Sequence, residues 1–220
     1  MRGLQKESAG SILSQVNAEN RYAFDQSCRV KAIELASRLG LVATGAKLSI
    51  NFMPGAVYSP AACIQLTLRM AATMRFSTDR LIFEITEVEE VTDRKHLLEI
   101  VEEYRRQGFQ VVLDDLGSGY SGLNLLAELT PDLVKMDMDL TRKIDSRPVA
   151  QAIVRKLVEL CDGLQVDLVA EGVETEAEYD VLRGIGVRLM QGYLLARPEF
   201  EHLLIRPGNT VTRHRRRWGL

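Results

Sequence analysis

Six apolar runs in this sequence each end on a polar side chain with chemical potential: Asn51, Glu84, the pair Asp114-Asp115, Lys135 with Asp137, Glu171 and Gln191. Brought to one mouth, Glu84, Asp114, Asp115 and Glu171 set four carboxylates around a single ammonium, Lys135. Two like charges ~4 Å apart repel by about 4 kcal/mol at an effective dielectric near 20, so protons or cations must compensate. Oxygen donors with one amide, Asn51, suit hard ions such as Mg²⁺ or Mn²⁺ rather than zinc, and His96, His202 and His214 fall outside the set. Two such ions about 3.5–4 Å apart and sharing an aspartate would suit phosphodiester hydrolysis by in-line attack of an activated water.

Taken singly, an acid after a strand is more often a helix cap or a solvated turn residue. The recurrence is what argues for a site. Lys135 is the least ordinary member, because an unpartnered lysine inside the apolar LVKMDM stretch would be costly, which favours acidic or phosphate-bearing neighbours over snorkelling to solvent. In Asp114–Gly122 two carboxylates precede a glycine-rich turn. Adjacent strand residues point to opposite faces, so both aspartates serve one site only if the chain turns there, which the glycines permit. The segment fits neither the Walker pattern nor G-x-G-x-x-G, so a mobile lid or a dimer-facing loop reads as well as a phosphate cradle.

The elements that must position these residues alternate. Strands are expected at Leu48–Met53, Arg80–Thr86, Gln110–Leu113, Leu133–Met138, Val166–Val173 and Arg188–Leu194. Helices are expected over Phe24–Leu39 with Gly40 beyond, from Ser59-Pro60 toward Met74, over Asp93–Gln107 with Gly108 as the stop, over Val149–Leu160 after Pro148, and after the capping box Thr175-x-x-Glu178. Ser11–Glu19 is ambiguous and leaves room for part of another strand unit. Alternation of this kind implies a parallel sheet covered by helices, either an open doubly wound sheet or a closed barrel. The barrel is preferred, because its strand ends converge on one mouth, whereas the outer strands of an open sheet stand too far apart to share a site. Six strands and 220 residues fall short of the usual eight strands and ~250 residues.

Composition sets the outer bounds. With 46% hydrophobic and 26% charged residues the chain reads as a soluble globular domain, and its net charge of −2 gives no global pull toward nucleic acid. Four arginines lie in Arg213–Arg217, and setting them aside leaves the rest of the chain at −6. That basic tail is expected to be solvated and disordered. Cys28, Cys63 and Cys161 are odd in number and widely spaced, which argues against a disulfide framework or zinc knot and for the cytoplasm. No run is long and apolar enough to span a membrane, and Lys6, Glu7 and Ser8 stand where a signal peptide needs an apolar stretch.

Five strings, in order and spacing, carry a resemblance: FEITE at Phe83–Glu87, DDLGSGYSGL at Asp114–Leu123, PDLVKMD at Pro131–Asp137, AEGVET at Ala170–Thr175 and MQGYLLARP at Met190–Pro198. Together they are similar to the EAL-domain family of cyclic di-GMP phosphodiesterases. The wording of AENRYAFDQ and SINFMPGAVY is further similar to EAL domains attached to sensory domains such as blue-light receptors. The resemblance spans about residues 2 to 200, and the domain is set at 1–205 with the tail at 206–220.

What the resemblance implies is a TIM-like α/β barrel, its first strand incomplete, that hydrolyses cyclic di-GMP to linear pGpG with two Mg²⁺ or Mn²⁺ ions. Asn51, Glu84, Asp114, Asp115 and Glu171 match family metal ligands, and Lys135 matches the lysine that holds the nucleophilic water. Lys135, Glu171 and Asp115 are thus the catalytic candidates. Arg2, Gln191 and Asp137 are the substrate candidates, Glu87 matches the anchor of the lid loop, and Glu174 is a further acid with no role assigned. Leu116 replaces the usual phenylalanine of the lid motif, a conservative change. The signature glutamate of the family precedes the arginine matched by Arg2 and would fall before Met1. Loss of that ligand would weaken metal binding or activity, so the alternative function is an inactive EAL domain serving as a cyclic di-GMP receptor or protein-binding regulator. A homodimer paired through the lid region and a sensory domain or partner protein are also implied. An enolase-like barrel with Lys135 as base is a third reading, supported by no further motif.

Overall fold

The computed structural model describes residues 7–86, 93–119 and 122–203. Six strands form one sheet: β1 (Leu48–Asn51), β2 (Leu81–Thr86), β3 (Gln110–Leu116), β4 (Leu133–Met136), β5 (Asp167–Ala170) and β6 (Leu189–Met190). Every neighbouring pair is parallel, and the spatial order follows the chain from β1 to β6. A doubly wound sheet reverses its order at a switch point. This one does not, and the fold is a TIM-like α/β barrel in which all six strands present their carboxyl ends to one rim. The start of the chain, where the incomplete first strand is expected, lies outside the described residues, as do 204–220 and with them the basic tail.

The helices are α1 (Ala9–Leu13), α2 (Arg21–Arg38), α3 (Pro60–Cys63), α4 (Gln65–Thr73), α5 (Arg94–Arg106), α6 (Gly122–Leu129), α7 (Met138–Thr141), α8 (Pro148–Leu164) and α9 (Glu176–Ile185). Local chemistry explains their ends. Asp93 caps α5 by accepting from the His96 N–H at 2.9 Å, and both halves of the Thr175–Glu178 capping box form at α9. Helix α2 ends at Arg38, and Gly40 beyond its Leu39 cap takes a left-handed φ of 81° that a side chain would resist.

Several expectations need correction, among them that β4, β5 and β6 end short of Met138, Val173 and Leu194, with Met138 instead opening α7. Ser11–Glu19 contributes no strand: Ser8 caps the short α1, and turns follow. Ser59 precedes α3 without a side-chain cap bond, and the expected single helix breaks into α3 and α4 at Ile64. Helix α8 runs through Gly163 and closes on Gln165, at φ 58°. Helix α6 was not anticipated, because the glycine-rich string masks an apolar pattern that buries Leu125, Leu126 and Leu129.

The pleat divides β2 between two environments. Phe83 faces outward into an aromatic layer, with ring centroids 5.7 Å from Phe52, 4.8 Å from Tyr104 of α5 and 5.1 Å from Phe109. Its neighbour Glu84 faces the other way, into the barrel.

Candidate functional site

Lys135 stands at the centre of the strand-end cluster. Its ammonium lies 2.7 Å from Glu171 Oε1, 3.0 Å from Asp114 Oδ1 and 3.3 Å from Glu84 Oε1, with only 11% of the side chain exposed. Burial alone would depress the Lys135 pKa, yet the carboxylates of Glu84, Asp114 and Glu171 outweigh it and raise the pKa above the ordinary lysine value. The group is therefore an ammonium at any physiological pH.

Each acid arrives by a different local route. Glu84 pairs in register with Asn51 across β1 and β2, and the Ser49 hydroxyl donates to its Oε1. Ser49 was absent from the sequence-derived set. The signal was available, since period-two alternation puts Ser49 and Asn51 on one face of β1. Asn51 itself is exposed at the rim.

Asp114 and Asp115 reach one side because the ladder between β3 and β4 shifts register between Leu113 and Leu116. Asp115 absorbs the irregularity at φ 58°, a left-handed conformation that aspartate tolerates better than most residues. The turn thus begins on an aspartate, ahead of the first glycine. Local bonds hold it: Asp114 Oδ1 accepts from the Asp115 N–H at 3.1 Å, and the Asp115 carbonyl accepts from Ser118 N at 3.0 Å and Ser118 Oγ at 2.9 Å.

Glu171 extends β5, its N–H donating to the Met136 carbonyl at 3.2 Å. Gly172 follows at φ 70°, where an added Cβ would meet Met138 Cβ at 2.6 Å. Burial pushes the Glu171 carboxyl up, against the pull of Lys135. Asp115 is raised as well, first by burial and then by Asp114 and Asp137. Burial is the larger cause in both, and the neighbouring carboxylates add to it against the pull of Lys135.

The remaining candidates are placed less centrally. Asp137 is half-buried and caps α7, accepting from the Asp139 N–H at 2.7 Å, while its charge still reaches Asp115. Gln191 joins the rim through its backbone, with its N–H donating to the Ala170 carbonyl at 2.8 Å and its side chain exposed. Glu174 is exposed, and its N–H donates to Glu178 Oε2 at 2.9 Å. Arg2 and Glu87 lie outside the described residues.

The donor set fits a hard divalent cation. Asp114, Asp115 and Glu171 each offer a carboxylate oxygen, all within 4.8 Å of one another, a spacing that small side-chain rotations would close onto a shared ion. One lysine also leaves several buried or half-buried carboxylates without compensation.

The fold and the site together define a parallel TIM-like α/β barrel with a carboxylate cluster at its strand ends. The chain belongs to the EAL domain family, which it matches over residues 19–198. It is 29% identical over 182 residues to the probable cyclic di-GMP phosphodiesterase PdeA of Escherichia coli, a stretch covering 80% of this chain and 25% of that protein. The chain spans less than half the length of the curated relatives it matches. Among solved structures, a standalone EAL protein of Vibrio cholerae in its c-di-GMP-bound form superimposes with a TM-score of 0.87 at 50% identity, covering 92% of this chain and 84% of that one. BlrP1 of Klebsiella pneumoniae, as a manganese and cyclic di-GMP complex, gives a TM-score of 0.81 at 34% identity over 88% of this chain and 49% of that one.

Proposed function

We propose that this chain binds cyclic di-GMP at the strand-end rim and hydrolyses one of its phosphodiesters to linear pGpG. The observation that carries the reading is the convergence of Glu84, Asp114 and Glu171 on the Lys135 ammonium within 3.3 Å, with Asp115 turned toward the same centre. The related c-di-GMP-bound EAL structures support it. Asn51, Glu84, Asp114, Asp115 and Glu171 would hold two Mg²⁺ or Mn²⁺ ions. When bound, such ions neutralise phosphate charge and lower the pKa of water.

The chain's own residues supply the rest. Lys135 keeps its proton and can orient a water for in-line attack by donating to the water oxygen. Glu171, 2.7 Å from the Lys135 ammonium, is placed to accept a hydrogen bond from the same water. Arg2, Gln191 and Asp137 are proposed to contact substrate, and Glu87 to anchor the loop that follows Asp115. Glu174 has no part in the chemistry on this reading, since its side chain is exposed.

The test is incubation of the purified chain with cyclic di-GMP and Mn²⁺, followed by chromatography of the products. Formation of pGpG is expected. Tight binding without pGpG would instead assign the receptor function, and no binding would overturn both.

A homodimer is part of the proposal. The pairing is placed at the region past the glycine-rich loop, where Leu123 in the first turn of α6 is exposed. A monomer by light scattering at high concentration would remove this element. The three free thiols, Cys28, Cys63 and Cys161, support a cytoplasmic setting beside a sensory domain or partner protein. No helix among the described residues is long and apolar enough to cross a membrane.

A further inference from the structure

A second buried charge cluster, on α2, has no part in the proposed chemistry. Asp25 and Arg29 stand one turn apart and form an ion pair at 2.6 Å, their side chains 3% and 0% exposed. Arg29 Nη1 donates to Tyr104 Oη at 2.7 Å. Its guanidinium lies over the rings of Phe52, Phe83 and Tyr104, at 5.2, 5.2 and 5.6 Å from their centroids. Asp25 Oδ1 accepts the Met53 N–H at 3.0 Å.

The residues gripped in this way flank two members of the site. Phe52 follows Asn51 directly, and Phe83 precedes Glu84. Beyond Asn51 the ladder is weak, for the Phe52 N–H reaches the Glu84 carbonyl only at 3.4 Å. A buried ion pair is poor support for stability, since apolar residues of similar volume often do as well. What the guanidinium fork adds is direction, because its planar donors and stacking faces fix the groups around it.

We propose that Asp25 and Arg29 are positioning residues that set the direction in which Asn51 and Glu84 enter the metal site. The inference rests on the reading of Asn51 and Glu84 as metal ligands. Through Met53 the pair tethers the chain leaving β1, and through Phe52 and Phe83 it fixes the rotation of both strands about their axes. Asn51 and Glu84 then point into the barrel because their neighbours are held on its outer side.

The test is the double variant Asp25→Leu/Arg29→Met, which exchanges the charges for apolar groups and leaves every rim residue untouched. Mn²⁺ affinity is measured by calorimetry, amide exchange of Phe52 in the metal-free protein by NMR, and folding by thermal melt. The expected result is Mn²⁺ binding weakened by about 10-fold or more with a melt close to the parent's, and Phe52 exchange accelerated by about 10-fold. Arg29→Lys, which keeps the pair with Asp25, should recover part of both. A folded double variant whose Mn²⁺ affinity stays within about twofold of a parent that binds the ion overturns the proposal. If the parent takes up no Mn²⁺, the metal reading fails by itself, and unchanged Phe52 exchange then overturns the positioning role alone. Should the double variant not fold, Tyr104→Phe, which removes one hydroxyl acceptor, is read by the same two measurements, with an effect of about threefold expected and none overturning the proposal.

Discussion

Two clusters of buried charge lie on opposite faces of the same strands. On the outer face Asp25 and Arg29 balance one another, and the guanidinium is enclosed by Phe52, Phe83 and Tyr104. On the inner face one lysine meets Glu84, Asp114 and Glu171, with Asp115 beside them. Both are largely shielded from solvent, the outer one more completely, but their charge balance differs. The outer cluster is neutral as a pair, although Arg29 Nε donates to no hydrogen-bond partner among the described residues, and it serves to hold its neighbours in place. The inner one carries a negative excess that burial magnifies, so it must take up protons or cations from outside. Burial of charge alone does not mark a reactive site. Imbalance does.

The comparison breaks most severely at Lys135. Replacing it by methionine removes the one positive charge of the inner cluster, and pGpG formation should fall by ~10²–10⁴-fold. Mn²⁺ should restore the melting temperature of the Lys135→Met protein but not its turnover. Turnover within tenfold of the parent would show that the lysine merely neutralises charge. On the outer face Arg29→Met leaves Asp25 buried and unpaired, which should cost ~3–5 kcal/mol in denaturant unfolding. The same measurement on Asp25→Leu/Arg29→Met should return most of that loss. A double variant as unstable as the single one would show that the pair is held for stability.

Asp115 sharpens the contrast, because its backbone and its carboxylate do separate jobs. Asp115→Asn keeps a side chain that tolerates φ 58° and loses only the charge, so Mn²⁺ affinity should drop by ~10–100-fold with little change in melt. Asp115→Ala loses the same ligand and adds a left-handed penalty of ~1 kcal/mol. Equal melts for the two variants would remove the claim of backbone strain at the bulge.

Much of the inner cluster was legible in the sequence because strand ends are punctuated. A polar residue after an apolar run is conspicuous, and Asn51, Glu84, Asp114, Lys135 and Glu171 all stand at such points. The six strands and their parallel alternation followed from the same pattern. The outer cluster was not legible, although Asp25 and Arg29 occur at helical spacing. Charged residues one turn apart on a helix normally mark a solvated face, and only the packing of α2 onto the aromatic layer shows otherwise. Helix α6 was hidden for a related reason: glycine-rich turn chemistry dominated the reading of a segment whose leucines pack in the core. The bulge at Asp115 could not be read at all, because register is a property of two strands.

The smallest effect expected is one of pH. Burial raises the Glu171, Asp115 and Asp25 carboxyls, so the metal-free folded protein binds protons more tightly than the unfolded chain does. For an acid raised in this way, stability is lost as pH rises from the ordinary carboxylate range, roughly 4, through the raised values. Glu178 has the opposite sign: although burial opposes it, the N–H groups of Lys143, Glu174 and Thr175 lower its pKa, and its contribution is lost only in stronger acid. Metal-free melts should therefore peak at mildly acidic pH and decline modestly toward neutrality, the decline being small because Glu171 and Asp115 are partly open to solvent. Mn²⁺ binds the ionised carboxylates, so its stabilisation should grow over the same interval and cancel the decline. A metal-free melt that climbs steadily to neutral pH would mean that burial does not raise these carboxyls.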